Sequence, residues 1–494
     1  MKYMSLSALS LALLSASTLA APWVDASDIY LRADIQALAD AGVITMPVNT
    51  FPLMWSGIGV DLNKAEPSLL TPEMAAAYAR VNYYYRQAVE NRGNTRLKAV
   101  GATDEARFQH FGSDYREQGE LKASHEYMDN RFAFKVSATA AYDAQDDKDF
   151  RLDDSWMSLV LGNWVFTAGT VEQWWGPGFD TALHKSNNAR PMPSLMLSRN
   201  NAAAFETPWL SWMGPWTLTT GISWMNDNRA VEDTLLWNFR GTLKPVQQLE
   251  IGASWTVQMC GEGQDCGLGT FWDTISGGGE CADGSLDCDS AQNSRLGNQM
   301  AGWDIRYADT WFNVPVGLYL ERTCEDSSGP MPWDLADCAK LAGVDTRFGF
   351  KDHQYKLFLE YTDTLVACGS DDNVFNCFYE HTTYLSGSRY YRRSLGSTYD
   401  SDAETWVLGL IGQFGDSKGI NAYLRYAQLN KDGKNHSSEW TPQPEKEDLL
   451  MLEVSYRQPM FKGMVTLGGT VSRSEFDTKT DNDATLYGSY EYRF

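Results

Sequence analysis

After about its first twenty residues the chain has no apolar run long enough for a helix to cross a bilayer, and its mean hydropathy is −0.39. A helical membrane protein is excluded. Basic residues are also scarce, 41 Lys and Arg against 64 Asp and Glu, for a net charge of −23. Nucleic acid and anionic lipid headgroups are therefore excluded as principal partners, since both demand a Lys/Arg surface. With only 6 His, no His-Glu-x-x-His and no Cys-x-x-Cys, no zinc site is indicated, and no cofactor is expected. What is abundant is aromatic surface: 18 Trp, 24 Tyr and 21 Phe.

The last residues, Tyr490-Glu491-Tyr492-Arg493-Phe494, carry an aromatic at every second position. In an extended strand Leu486, Gly488, Tyr490, Tyr492 and Phe494 share one face, with Glu491 and Arg493 on the other. Such a row suits the closing strand of an outer-membrane β-barrel, whose lipid face ends in an aromatic girdle. An edge strand of a soluble sandwich is the alternative. The other end of the chain favours the barrel: Lys2, the apolar stretch from Leu6 to Leu14 and the small residues of Thr18-Leu19-Ala20 read as an export signal cleaved after Ala20. No Cys follows to take a lipid anchor.

Two periodicities divide the rest. Ile29, Leu31, Ile35, Leu38 and Ala41 recur at helical spacing after the capping candidates Asp25 and Ser27, with Gly42 placed to end the helix. A shorter helix is expected between Met54 and Ala65. Thr71-Pro72-Glu73 opens another that runs to about Glu90, before Gly93. From about residue 95 the period becomes two, as in Phe132-Ala133-Phe134-Lys135-Val136-Ser137-Ala138-Thr139. Leu450, Leu452, Val454 and Tyr456 alternate with Glu453, Ser455 and Arg457, and Val465, Leu467, Gly469 and Val471 with Thr466, Gly468, Thr470 and Ser472. About eighteen such segments can be counted, an even number as a single-chain bacterial barrel requires.

The expected fold is all-β and transmembrane: an antiparallel outer-membrane β-barrel with a small N-terminal periplasmic α-helical unit. Its parts are a signal peptide over 1–20, the helical unit over 21–92, docked on the barrel or plugging it, and the barrel over 93–494. Counting back from Phe494 assigns sides. The links near Arg457 to Lys462, Gly415, Asp352, Thr310 and Pro245 fall inside and are short. The links 473–483, 430–446, 365–403, 323–340 and 259–298 fall on the extracellular side. All eight cysteines lie in the last of these groups, and an even number in an exported chain argues for disulfides. The expected pairs are local: Cys260 with Cys266, Cys281 with Cys288, Cys324 with Cys338, and Cys368 with Cys377. Acidic clusters in the same links, Asp283, Asp287 and Asp289, and Asp371, Asp372 and Asn373, could supply oxygens to Ca²⁺, but their spacing matches no known calcium loop and solvated surface is the preferred reading.

One block stands apart from the alternation. Glu172-Gln173-Trp174-Trp175-Gly176-Pro177-Gly178 is trailed by Arg190-Pro191-Met192, by Glu206-Thr207 and by Trp209, Trp212 and Gly214-Pro215-Trp216. Here the sequence resembles the Wzi family of outer-membrane proteins. The resemblance resumes at Leu249-Glu250-Ile251-Gly252-Ala253-Ser254, Gly261-Glu262-Gly263, Phe271-Trp272-Asp273 and Gly297-Asn298-Gln299-Met300-Ala301-Gly302-Trp303-Asp304. It also reaches Ala41-Gly42-Val43-Ile44 and Thr50-Phe51-Pro52-Leu53. It implies an eighteen-stranded barrel that acts as a lectin in the assembly and surface attachment of capsular polysaccharide. The cysteine-bearing loops depart from the family pattern, so a glycan specificity does not carry over.

Trp174 and Trp175 offer flat faces to a sugar ring, and Glu172, Gln173 and Arg190 can bond hydroxyls or, for Arg190, a uronate. The competing reading makes this block structural, with the 173–199 link folded into the lumen and the tryptophans packed on the wall. The function expected is non-enzymatic binding of capsular or other surface polysaccharide, by a monomer surrounded by outer-membrane lipid. The alternatives are a porin or polysaccharide export channel, and a hydrolase, for which carboxylate pairs such as Asp153 and Asp154 give no assignable constellation.

Overall fold

A computed structural model of the protein describes residues 22–89, 94–129, 131–275, 297–327, 335–351, 353–366, 377–381, 383–433 and 445–494. The expected export signal lies outside them, as do both acidic clusters.

The alternating segments form a closed antiparallel barrel. Its first strands are β1 (Asn94–Ala102), β2 (Gly119–Met128), β3 (Phe132–Tyr142), β4 (Trp156–Leu161), β5 (Trp164–Thr170) and β6 (Pro193–Arg199). Next come β7 (Trp216–Met225), β8 (Thr234–Val246), β9 (Leu249–Met259), β10 (Asn298–Trp311), β11 (Val314–Ser327) and β12 (Leu335–Phe350). The circuit ends with β13 (His353–Asp363), β14 (Glu404–Gln413), β15 (Gly419–Leu429), β16 (Glu447–Met460), β17 (Gly463–Phe476) and β18 (Thr480–Arg493). A two-residue piece, Phe150–Arg151, pairs with the far end of β3 and continues into β4, so the circuit counts eighteen strands. β18 closes it on β1, from Tyr487 opposite Ala102 to Arg493 opposite Arg96.

Side chains sort by parity as the pleat requires. Phe132 and Val136 point outward while Lys135 and Ser137 are buried inside; Leu450, Leu452, Val454 and Tyr456 point outward while Glu453 and Ser455 face in. On β18 Leu486 is exposed and Thr485, Tyr487 and Ser489 face the lumen. The exposed apolar row around the wall is the surface that lipid covers in an outer-membrane barrel.

The strands turn tightly at one rim, between Val246 and Leu249, Trp311 and Val314, Phe350 and His353, Gln413 and Gly419, and Met460 and Gly463. At the other rim, two expected loops prove shorter than the parity count placed them. β17 and β18 extend to Phe476 and Thr480, leaving only 477–479 of the expected 473–483 loop. β11 and β12 take in most of 323–340, so Cys324 and Cys338 are direct cross-strand partners instead of loop residues. Their disulfide and that of Cys260 with Cys266 are present, and Cys377 is also disulfide-bonded. Cys281, Cys288 and Cys368 lie outside the described residues.

The N-terminal helices are α1 (Ile29–Asp40), α2 (Trp55–Lys64) and α3 (Pro72–Val89). Asp28, not Asp25 or Ser27, caps α1, accepting from the Tyr30 and Leu31 amides at 2.9 and 3.1 Å. Asp25 instead takes the Trp23 indole N–H and the Lys135 ammonium. Gly42 follows α1 at φ +79°, the left-handed position that ends a helix without Cβ strain. Every residue of α1 from Ile29 to Ala39 is buried, including Arg32, Asp34 and Gln36. A helix docked beneath a barrel would leave one stripe wet; α1 is enclosed on all sides because it sits inside the tight-turn end of the lumen. Its polar residues are met by wall and plug: Asp34 by Arg80 and Gln413, and the Ala39 carbonyl by Lys244 and Gln247. α3 buries only Ala77 and Val81 and covers α1 at the mouth.

Candidate functional site: the filled lumen and its wall cavities

Beside the helices, three links fold into the barrel: 103–118, 171–192 and 377–403, the last of which the parity count had placed wholly outside. Irregular backbone in a lumen lacks ladder partners for its N–H groups, and each would be costly to bury bare. Wall carboxylates supply the acceptors. Glu250 of β9 takes the Val48 and Asn49 amides at 2.9 and 2.8 Å, and Glu360 of β13 takes those of Phe179 and Asp180 at 2.6 and 3.0 Å. Glu321 of β11 takes those of Leu183 and His184 at 2.8 and 3.1 Å. Between these clamps run buried ion pairs: Arg240 with Asp304, Arg306 and Lys356 with Asp345, and Arg425 with both Asp180 and Glu453. Strands β8 to β15 thus hold the plug through directed, fully buried polar contacts.

The Trp-Trp-Gly-Pro-Gly block lies at the centre of this arrangement. Trp174 and Trp175 are both 0% exposed and pair with Phe51 and Thr50 in a short ladder. The Trp174 indole N–H donates to the Gly178 carbonyl at 3.1 Å, and its ring meets Phe111 edge-on at 5.3 Å. Trp175 stacks on His184 at 6.0 Å with the Lys185 ammonium 4.9 Å from its centre. No sugar ring reaches either face, which corrects their assignment as stacking platforms: they join the helical unit to the plug. Gly176 is required here, at φ +141°, because a Cβ would lie 2.6 Å from the Glu321 carboxylate. Arg32 closes the cluster, stacked over Phe111 and Phe179 at 4.4 and 4.3 Å and donating to the Pro177 carbonyl.

The remaining candidates are half-buried. Arg190 is engaged by Asp153 at 2.7 and 2.9 Å and by Asp146, pairs that outweigh its burial and raise its pKa. It is not free to meet a uronate. Gln173 accepts from Lys185 at 2.6 Å, and burial lowers that lysine to about 7. Burial, with the neighbouring cations Lys185 and Arg240, lowers His184 to about 3. Glu172, raised by burial, lines an open space together with Lys122 and Arg116.

That space is one of two cavities along the opposite wall, where β16–β18 and β1–β4 stand away from the plug. A cavity of about 470 Å³ near the tight-turn rim is lined by mixed charges, among them Arg96, Lys98, Lys122, Glu172, Arg457 and Glu491. A second, of about 430 Å³, lies toward the loop end between link 103–118 and β16–β18. Both border Ser113, Asp114 and Tyr115, and the Tyr115 ring rests 4.4 Å from that of Tyr487, marking the constriction between them. The one local mark of this link is the crowding of Phe108, His110, Phe111 and Tyr115 in a stretch without alternation.

Gly415-Asp416-Ser417-Lys418-Gly419 has the spacing of a nucleophile elbow. It forms the β14–β15 hairpin turn, with no strand-to-helix geometry and no histidine bonded to Ser417 among the described residues. Among the described residues no three His, Cys, Asp or Glu groups converge on a metal-sized point.

A model of the family described as capsule assembly protein Wzi matches residues 88–486. The chain belongs to this family. A Klebsiella pneumoniae relative, an uncharacterized 55.8 kDa protein in the cps region, is 29% identical over 344 residues, 68% of this chain. The match spans 64% of that relative's length. The structure is similar to that of Wzi from Escherichia coli, described as an outer membrane protein involved in group 1 capsule assembly and as a carbohydrate-binding β-barrel. The TM-score is 0.81 at 24% identity, covering 97% of this chain and 100% of the other. That likeness shows the barrel fold, and the family match places this chain among the capsule assembly Wzi proteins.

Proposed function

We propose that this protein is a non-enzymatic, glycan-binding member of the Wzi family in the outer membrane, which helps to assemble capsular polysaccharide and hold it at the cell surface. The observation that carries the reading is the filled lumen: a barrel with four chain segments bonded to its inner wall is built to present surface, not to conduct. The Escherichia coli relative, described as a carbohydrate-binding barrel of capsule assembly, supports the ligand class. The tight-turn rim and its helices face the periplasm, the loop rim faces outward, and a single copy suffices, with lipid on the exposed apolar band. The pairs Cys281 with Cys288 and Cys368 with Cys377 complete the loop staples. Deleting the gene should move capsular polysaccharide from the cell-bound to the soluble fraction with unchanged chain length. Unchanged retention would contradict glycan holding, and shortened chains on incubation with pure protein would point to a hydrolase.

A further inference from the structure

The loop-end cavity has a chemistry of its own. Its walls carry seven carboxylates, Asp104, Glu105, Asp114, Glu445, Glu447, Glu453 and Asp483, and one base, Arg107, bound to Glu447 at 2.5 and 2.8 Å; behind the wall Arg425 and His110 hold Glu453, and Lys98 lies 3.8 Å from Asp114. Glu105 is raised by burial and by the nearby Glu117 and Asp104, a sign of the crowding of negative charge at the mouth. A second observation is independent of charge. Tyr115, Ser474 and Thr485 are 8%, 7% and 4% exposed, and their hydroxyls, which border the cavity, meet no hydrogen-bond partner among the described residues. Open onto one space, the three hydroxyls are placed to bond a polar occupant. The floor is the Tyr115–Tyr487 ring pair, and Phe108 and Phe476 add apolar wall.

We propose that this cavity is a glycan subsite for a positively charged sugar residue, a protonated amino sugar, with the Tyr115–Tyr487 floor under the ring, the free hydroxyls on its oxygens and the carboxylates around its ammonium. The proposal rests on the glycan-binding reading and names its site and ligand class. Aromatic faces and hydroxyls suit a pyranose, and the carboxylates select an ammonium over a uronate. A bare divalent ion does not account for the same walls, because the carboxylates are spread around the space instead of converging. The volume of about 430 Å³ accommodates one to two sugar units.

The test is calorimetry on detergent-purified full-length protein with a glucosamine tetramer, its fully N-acetylated counterpart, an oligogalacturonate and spermine, alongside a glycan array. The expected result is binding of the glucosamine tetramer about tenfold or more tighter than of the N-acetylated form. The double variant Asp483→Asn, Glu105→Gln should lose about tenfold, and Ser474→Ala several-fold, with the heat-modifiable migration of the folded barrel retained. Equal binding of both tetramers, or unchanged affinity in the variants, overturns the subsite. So does spermine binding as tightly as the amino sugar, which would make the cavity a general cation trap. If the array shows binding of other glycans while the glucosamine tetramer is ignored, the subsite fails and the glycan-binding reading stands. Silence across the array sinks both.

Discussion

The two sides of the lumen are built on opposite plans. Along β8 to β15 the wall presents Glu, Asp, Arg and Lys that are almost all bonded to the plug or to each other, and the space is full. Along β16–β18 and β1–β4 the inward positions mix Ser, Thr and Tyr with charges of both signs, among them Arg96, Lys98, Lys122, Arg457 and Glu491, and the space is open. Identical strand geometry thus gives a lock on one side and a receptive groove on the other; which of the two arises depends on whether the inward residues have backbone to satisfy.

The sharpest way to break the contrast is at the border. Arg425 lies between Asp180 of the plug and Glu453 of the wall, at 2.9 and 2.6 Å and fully buried. Arg425→Ala strands two buried carboxylates and should cost about 3–5 kcal/mol, read as a lower unfolding temperature in detergent. Glu321→Ala comes next. It leaves the Leu183 and His184 amides bare at a cost of about 1–3 kcal/mol, and should loosen 174–189 to hydrogen exchange more than it destabilises the wall.

Acid should act on the locked side in the same sense. Unfolded, His184 takes a proton near 6.5, whereas in the plug it does so only near 3. Between those values the unfolded state binds more protons, so stability falls as pH drops from 6.5 towards 3. Lys185, lowered from 10.5 to about 7, makes stability fall in the same way between those two values. Exchange protection of 174–189 should therefore decline with acidification, and His184→Phe should flatten the acidic limb. The smallest effect belongs to the open side: Ser474→Ala, which removes a hydroxyl with no partner among the described residues, should change stability by less than about 0.5 kcal/mol in a melt. A loss of several kcal/mol there would erase the distinction.

How legible this was in the sequence follows the same division. The strands and the tight-turn rim were readable because a period of two is a local signal, as at Leu450 to Arg457, and parity counted from Phe494 carries it around the circuit. The helices were readable for the same reason, though the cap of α1 was assigned three and one residues early, at Asp25 and Ser27, because all three candidates are capping types and only the fold decides which one meets free amides. What was not legible was the inside. Arg32, Glu321 and Trp174 come from distant parts of the chain, and nothing local says that a tryptophan pair is covered on both faces. The 365–403 link looked like an outer loop because its length is visible and its return into the lumen is not.

The claim that the barrel is locked shut and works by presenting surface is tested most directly by planar-bilayer conductance of the purified protein beside the Glu321→Ala, Glu360→Ala double variant. The account predicts near silence from the native protein and frequent openings once both clamps are removed. Steady, large conductance from the native protein would contradict it.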